Sequence, residues 1–289
     1  MTDPILDASA KASTLIEALP FIRNYRGRTV VVKVGGEALD DPLRASVVAD
    51  DLALLSLVGM RLVVVHGGGP QVSAAMTSAG IEPRFVGGLR VTDAESMDLV
   101  QQVLIGSINT DLVARLARAG LSAVGLSGSD GALLEASVER GPDGEDLGRV
   151  GSIARVRPQL LETLLDQDHV PVLASVAPGP DGGSLNVNAD AAAGAIASAI
   201  GATKLVYLTN VEGLYRDFGD KGTLVSELKA DELDDMLGSL SEGMKPKAAS
   251  AVEALRGGVD KVHILDGRID HALLLEIFTE SGIGTQVLP

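Results

Sequence analysis

Short apolar runs and amphipathic stretches alternate along almost the whole chain. Residues 29–34, 61–65, 122–126, 170–174, 204–209 and 261–265 are near-continuous runs of Val, Leu, Ile and Ala. Such runs read as strands buried on both faces. Helical spacing predicts helices over 13–24, 43–59, 189–200, 231–240, 246–256 and 271–278. Pro20 is expected to kink or interrupt the first of these. A further helix opens at Pro70 and stops before Gly80, since proline suits a first turn and glycine a helix end. Another, long helix opens at the capping box Thr92-Asp93-Ala94-Glu95 and ends at Gly120. Residues 134–157 mix Gly, Pro and charge and read as a hairpin or flap. Strand and helix alternate throughout, which predicts an α/β fold: a three-layer αβα sandwich around a mainly parallel sheet.

Composition narrows the picture. With 289 residues the chain suits one large α/β domain or two fused lobes. Aromatics are 2% and Trp is absent, so the core must be aliphatic. The net charge of -15 disfavours nucleic acid and anionic membranes as partners. An anionic substrate would therefore need lysines and helix N-termini concentrated locally. The absence of Cys excludes disulfides, thiolate metal sites and Cys nucleophiles. No leader-like start and no 18-residue apolar run appear, so a cytoplasmic, unprocessed protein is expected.

In a parallel sheet, ligands gather at the carboxyl ends of the strands. Here those ends carry Gly35-Gly36, Gly67-Gly68-Gly69, Gly125 and Thr209-Asn210. Lys33 lies near the end of an otherwise apolar strand, where an ammonium is costly unless an anion meets it. The Gly67–Gly69 run joins a strand to a helix, and bare N–H groups at a helix start form a cradle for phosphate or carboxylate. Neither a Walker A loop nor a GxGxxG fingerprint is present. In Asn186-Val187-Asn188-Ala189-Asp190, Asn188 suits a helix cap and Asp190 a first turn, while Asn186 falls on the same side as Asn188. A structural and a functional reading fit that segment equally. Lys247, in Gly243-Met244-Lys245-Pro246-Lys247, opens a helix where a cation is disfavoured unless an anion binds. Arg90 suits bidentate capture of a carboxylate. His66 has no acid or nucleophile partner in sequence, and no proton-transfer role is assigned to it.

Taken in order, these segments resemble the amino-acid kinase family, in particular its acetylglutamate branch. The resemblance rests on Lys33-Val34-Gly35-Gly36, Val65-His66-Gly67-Gly68-Gly69-Pro70, Gly88-Leu89-Arg90-Val91-Thr92, Asn186-Val187-Asn188-Ala189-Asp190, Leu208-Thr209-Asn210-Val211-Glu212-Gly213 and Gly243-Met244-Lys245-Pro246-Lys247. It implies transfer of a phosphoryl group from ATP, with Mg²⁺, to the side-chain carboxylate of N-acetyl-L-glutamate in arginine synthesis, with no direct protein ligand to the metal. It implies a helical arm over 1–27, an amino-acid-binding lobe over 28–200 and a nucleotide-binding lobe over 201–289. Lys33 and Lys247 would flank the moving phosphoryl group, with Asp190 orienting both. Gly68, Gly69, Arg90, Asn186 and Asn188 would hold the acyl amino acid. Lys33, Gly35, Gly36, Thr209, Asn210 and Gly243 would hold ATP. Lys247, directly after Pro246, is the lysine the resemblance points to, and Lys245 is an addition of this sequence. A carboxylate nucleophile is already ionised at pH 7, with a free pKa of about 4.3, so no general base is required.

The two chain ends resemble the arginine-inhibited members of the branch. There the N-terminal helix links dimers into a hexameric ring, and L-arginine binds near that helix and the C-terminal loop. By that resemblance His263, Glu276, Gly282 and Gly284 are regulatory candidates, and the chain is expected to be a homo-oligomer. Two other readings stay open at this point: a kinase for the one-methylene-longer acetyl-aminoadipate, and a non-catalytic arginine-sensing scaffold on the same fold.

Overall fold

The structure, a computed structural model, describes residues 4–216, 219–241, 243–279 and 282–289. The first three residues of the predicted arm lie outside that set. Eight strands form the central sheet, in the order 227–229, 285–288, 261–266, 204–209, 29–34, 61–66, 170–174 and 123–126. From 261–266 to 123–126 every neighbouring pair is parallel. Thr285–Leu288 runs antiparallel to Lys261–Asp266, and Glu227–Lys229 pairs with it in parallel.

The two-residue period of the strands sorts the core onto two faces. Val31, Val63, Val65, Leu205 and Tyr207 pack on one face, under the helices Ala189–Ala199 and Lys245–Arg256. Val30, Val32, Val34, Leu62, Val64, Val206 and Leu208 pack on the other. That second face is covered by Pro42–Leu57, Thr110–Arg118 and Ala272–Phe278. Lys33 shares the parity of Val31, so it rises on the face that carries Ala189–Ala199. That helix is alanine-rich because it sits close to its neighbour: a Cβ on Gly194 would stand 2.5 Å from Ser250 Oγ and 3.0 Å from Ser250 O.

A second, four-stranded sheet, ordered 134–140, 146–156, 184–187 and 176–178, flanks the carboxyl ends of the main strands. The hairpin expected over 134–157 forms its first two strands. The strands Val176–Pro178 and Ser184–Val187 had no sequence signal, being too short to show a period.

Three local expectations are corrected. The helix Pro4–Tyr25 continues through Pro20. The cap of Ala94–Gln101 is Asp93, whose side chain accepts the Ser96 N–H at 2.8 Å, and not Thr92. Thr92 is fully buried and donates instead to the Arg90 carbonyl at 2.9 Å. The long helix after it also changes form, since Gln102–Asn109 is π-helical before α-helix resumes at Thr110. Among the described residues no helix is long and apolar enough to cross a membrane.

Candidate active site

Lys33 ends the rise of the central strand, and Asp190 starts the helix that crosses over it. Lys33 Nζ lies 2.8 Å from Asp190 Oδ1. Lys247, from the first turn of Lys245–Arg256, reaches the other oxygen, with Nζ 2.9 Å from Asp190 Oδ2. All three residues are less than 10% exposed. Burial works against the Asp190 carboxylate, but Lys247 and then Lys33 overcome it and hold the group well below the usual carboxylate range. Burial draws Lys247 down to about 8. Lys245 points to solvent. Two ammonium groups thus share one carboxylate, and the cluster keeps excess positive charge.

The surrounding helix starts add to that charge. Gly35, Gly68 and Met244 occupy N-cap positions and make no side-chain cap bond; in the last of these helices the Lys245 N–H is already taken by Ser241 O at 3.0 Å, and Pro246 has no N–H. Only Ala189–Ala199 is capped from within, because Asn188 Oδ1 accepts from Asp190 N at 2.8 Å and Ala191 N at 3.1 Å. A side chain on Gly68 would displace its neighbours: a Cβ there would meet Ile108 Cδ1 at 2.2 Å and Leu104 Cδ2 at 2.7 Å.

A cavity of about 220 Å³ opens over this cradle. Lys33, Gly36, Gly68, Gly69, Arg90, Asn186, Asn188 and Asp190 line it together. Arg90 is buried, and its guanidinium donates to Gly69 O at 2.8 Å and Ser73 Oγ at 2.7 Å while lying 4.6 Å from the Phe85 ring centre. Asn186 Nδ2 donates to Thr92 Oγ1 at 3.3 Å. A second cavity, of about 230 Å³, is lined by Thr209, Asn210, Gly243, Met244 and Lys247 among others. Gly35 lines neither cavity; its N–H donates to Leu208 O at 3.2 Å. A third cavity, of about 300 Å³, lies towards the opposite ends of the strands and gathers Tyr25, Lys204, His263, Glu276, Gly282 and Gly284.

Several residues at the site had no sequence signal. Tyr207 OH lies 2.5 Å from Ser250 Oγ, which donates to Asp190 O at 2.6 Å, so the strand 204–209 and the Lys247 helix both brace Asp190. Gln71 Nε2 donates to Gly36 O at 2.8 Å and to Asp40 Oδ1 at 2.7 Å, tying one glycine loop to the other. His66 and Asn109 are buried beneath the cradle.

The family model for the amino acid kinase family matches residues 28–266. The acetylglutamate kinase of Pelotomaculum thermopropionicum is 49% identical over 288 residues, covering 96% of this chain and 97% of the relative. That of Acidothermus cellulolyticus is 49% identical over 297 residues, covering 100% of each. Solved structures of the Neisseria gonorrhoeae N-acetylglutamate synthase, complexed with coenzyme A and either N-acetyl-glutamate or L-arginine, align at 32% and 31% identity with TM-scores of 0.86 and 0.82. They cover 96% of this chain, which spans 63% and 65% of those longer chains. The fold and these relatives therefore define a phosphotransferase of the amino-acid kinase type. The chain belongs to the amino acid kinase family, and within it to the acetylglutamate kinases.

Proposed function

We propose that this enzyme transfers the γ-phosphoryl group of ATP to the side-chain carboxylate of N-acetyl-L-glutamate, giving N-acetyl-L-glutamyl 5-phosphate for cytoplasmic arginine biosynthesis. One observation carries the reading: Lys33, lining the first cavity, and Lys247, lining the second, meet on the two oxygens of Asp190. The first cavity draws its lining from residues 33–190 and the second from residues 209–247, which supports an amino-acid lobe over 28–200 and a nucleotide lobe over 201–289.

In this reading a carboxylate oxygen of the acyl amino acid attacks the γ-phosphorus, the bond to the β–γ bridging oxygen breaks, and ADP leaves. No proton moves, so no base is required. The task is to bring two anions together and stabilise charge on the phosphoryl oxygens. Lys33 and Lys247 supply charge, the Gly36 and Gly68 N–H groups supply donors, and Asp190 holds both ammonium groups in place. Arg90 and Asn186 hold the α-carboxylate and acetamide region, with Gly69 and Asn188 beside them. Thr209, Asn210 and Gly243 hold the nucleotide, which brings its Mg²⁺ as part of the substrate. A coupled assay for ADP release decides the reading. N-Acetyl-L-glutamate should give turnover, acetyl-aminoadipate markedly less, and Lys33→Ala almost none. Folded protein releasing no ADP with either acid would leave the sensing scaffold as the better account.

The third cavity supports inhibition by L-arginine. It places Glu276 and Glu227 near Lys204 and Lys261, the two charge signs that a zwitterion with a guanidinium needs. Burial lowers His263, whose Nδ1 lies 2.5 Å from Glu276 Oε1. The adjacent helix Pro4–Tyr25 exposes Leu15 and Ile16, at 71% and 65%, on an arm with no core beneath them. That surface suits helix-to-helix joining of dimers into a trimer of dimers. Light scattering should return a hexamer, and Leu15→Asp should reduce it to dimers.

A further inference from the structure

Beneath the cradle lies a polar network that the transfer itself does not use. His66 is fully buried, with Nδ1 3.0 Å from Gly67 O and Nε2 3.0 Å from Asn109 Nδ2. A carbonyl oxygen only accepts, so Nδ1 carries the ring proton and Nε2 is bare. Asn109 Nδ2 then donates to Nε2, and its other N–H donates to Val172 O at 2.9 Å. Every hydrogen has one destination, and this pattern requires a neutral ring. Burial keeps it so, drawing His66 down to about 4.

The network has a geometric consequence for the cradle. In a trans peptide the carbonyl and the next N–H point in opposite directions. Holding Gly67 O on His66 therefore turns the Gly68 N–H away from the ring. Asn109 is the last residue of the π-helical segment Gln102–Asn109. Two other members of that segment, Leu104 and Ile108, fill the space where a Gly68 side chain would stand. Asn109 itself packs onto the sheet, its Oδ1 2.2 Å from the position of a Cβ on Gly125. A wider helical ladder at a functional site is a known device for placing a side chain out of α-register.

We infer that the π-helical segment is the positioning element of the phosphate cradle, acting through Asn109 and His66 to fix the Gly67–Gly68 peptide so that the Gly68 N–H is held towards the transferred group. The inference rests on the kinase reading above, and His66 and Asn109 are positioning residues that touch neither substrate.

Two measurements test it. The first is ¹⁵N NMR of the histidine rings in the wild-type protein, where only 4 histidines need assignment. The His66 ring should stay in the neutral Nδ1–H form across roughly pH 6 to 8. This result does not depend on what the enzyme phosphorylates. The second is turnover of His66→Asn against His66→Leu. Asn keeps a donor where Nδ1 was, so its kcat should fall no more than about tenfold, while Leu should lose roughly 10²-fold with the KM for N-acetyl-L-glutamate nearly unchanged. Thermal unfolding of both variants separates lost positioning from lost stability. An Nε2–H ring, or equal kcat in the two folded variants, overturns the inference. If the leucine variant does not fold, the ring tautomer alone decides. Failure of the wild type to turn over N-acetyl-L-glutamate is a different result, and sinks the kinase reading instead.

Discussion

Two buried charge clusters stand near opposite ends of the same parallel sheet, and each gathers basic side chains around one carboxylate. At the carboxyl ends, Asp190 divides its oxygens between Lys33 and Lys247. At the amino ends, Glu276 pairs with His263 and accepts the Ile283 N–H at 3.1 Å, while the Lys204 ammonium sits 5.1 Å from the Tyr25 ring centre. The difference lies in the backbone around them. The first cluster holds two lysines against one carboxylate and faces helix starts at Gly35 and Gly68 that lack a side-chain cap, so the potential there is positive and the site suits a polyanion. The second faces Glu227 and Lys261 together, so its charges are mixed and suit a zwitterion. The same kind of buried charge cluster thus suits different ligand charges at the two ends of the sheet.

The first cluster can be broken most severely at Lys33. Lys33→Ala should lower kcat by about 10³-fold, because a preorganised charge aimed at the transition state is lost. Steady-state turnover checks it, and a loss under tenfold would remove Lys33 from the transfer. The next largest effect belongs to Gly68. In Gly68→Ala the added methyl meets the tips of Ile108 and Leu104 at 2.2 and 2.7 Å, so either those buried side chains turn or the loop shifts, by about an ångström if the loop alone gives way. A displacement of that size costs roughly 10²-fold in kcat. A normal rate in Gly68→Ala would show that the cradle is not held where the structure places it.

Much of the first cluster was legible in the sequence, and less of what supports it. The strands were legible because each is a short, mainly apolar run, and Lys33 stood out as a lysine inside one. The glycine loops announced themselves as strand-to-helix joints, and the Asn186–Asp190 segment as a helix start. What could not be read was partnership. Asn109 lies 43 residues from His66, and nothing in Gln102–Asn109 marks a π-turn, since its apolar residues satisfy α and π spacing alike. The cap at Asp93 was displaced by one residue from the expected box because Thr92 was drawn inward by burial. The short strands 227–229, at the sheet edge, and 285–288, next to it, are set by pairing to neighbours rather than by a pattern of their own. In the second cluster, the charges were legible only through resemblance, because a Glu in a helix and a His in a strand are ordinary on their own.

The pH dependence sharpens the contrast from the nucleotide side. Lys247 holds its proton only up to about pH 8, because burial favours the neutral amine. In the proposed reaction the charged form meets the phosphates, so kcat/KM for ATP should fall above that pH by roughly tenfold per unit. Asp190 works in the opposite direction and raises Lys247. Asp190→Asn removes that support, so the alkaline limb should move to lower pH. A pH–rate profile of both proteins decides this, and a limb that stays put or moves upward would show that another group controls it.

The smallest expected effect lies in the second cluster. Glu276 Oε2 accepts the Ile283 N–H, and Gly282 turns around it with φ of +57°. Glu276→Gln keeps an acceptor for His263 but replaces Oε2 by an amide group that cannot accept from Ile283. It also removes the negative charge offered to a guanidinium. Losing one charge-assisted bond of this kind is worth about 1.4 kcal/mol, so the arginine concentration for half-inhibition should rise about tenfold. An inhibition curve for each protein measures it directly. If the two curves coincide while both are inhibited, arginine binds elsewhere, and the amino-end cluster is a structural brace that happens to resemble the catalytic one.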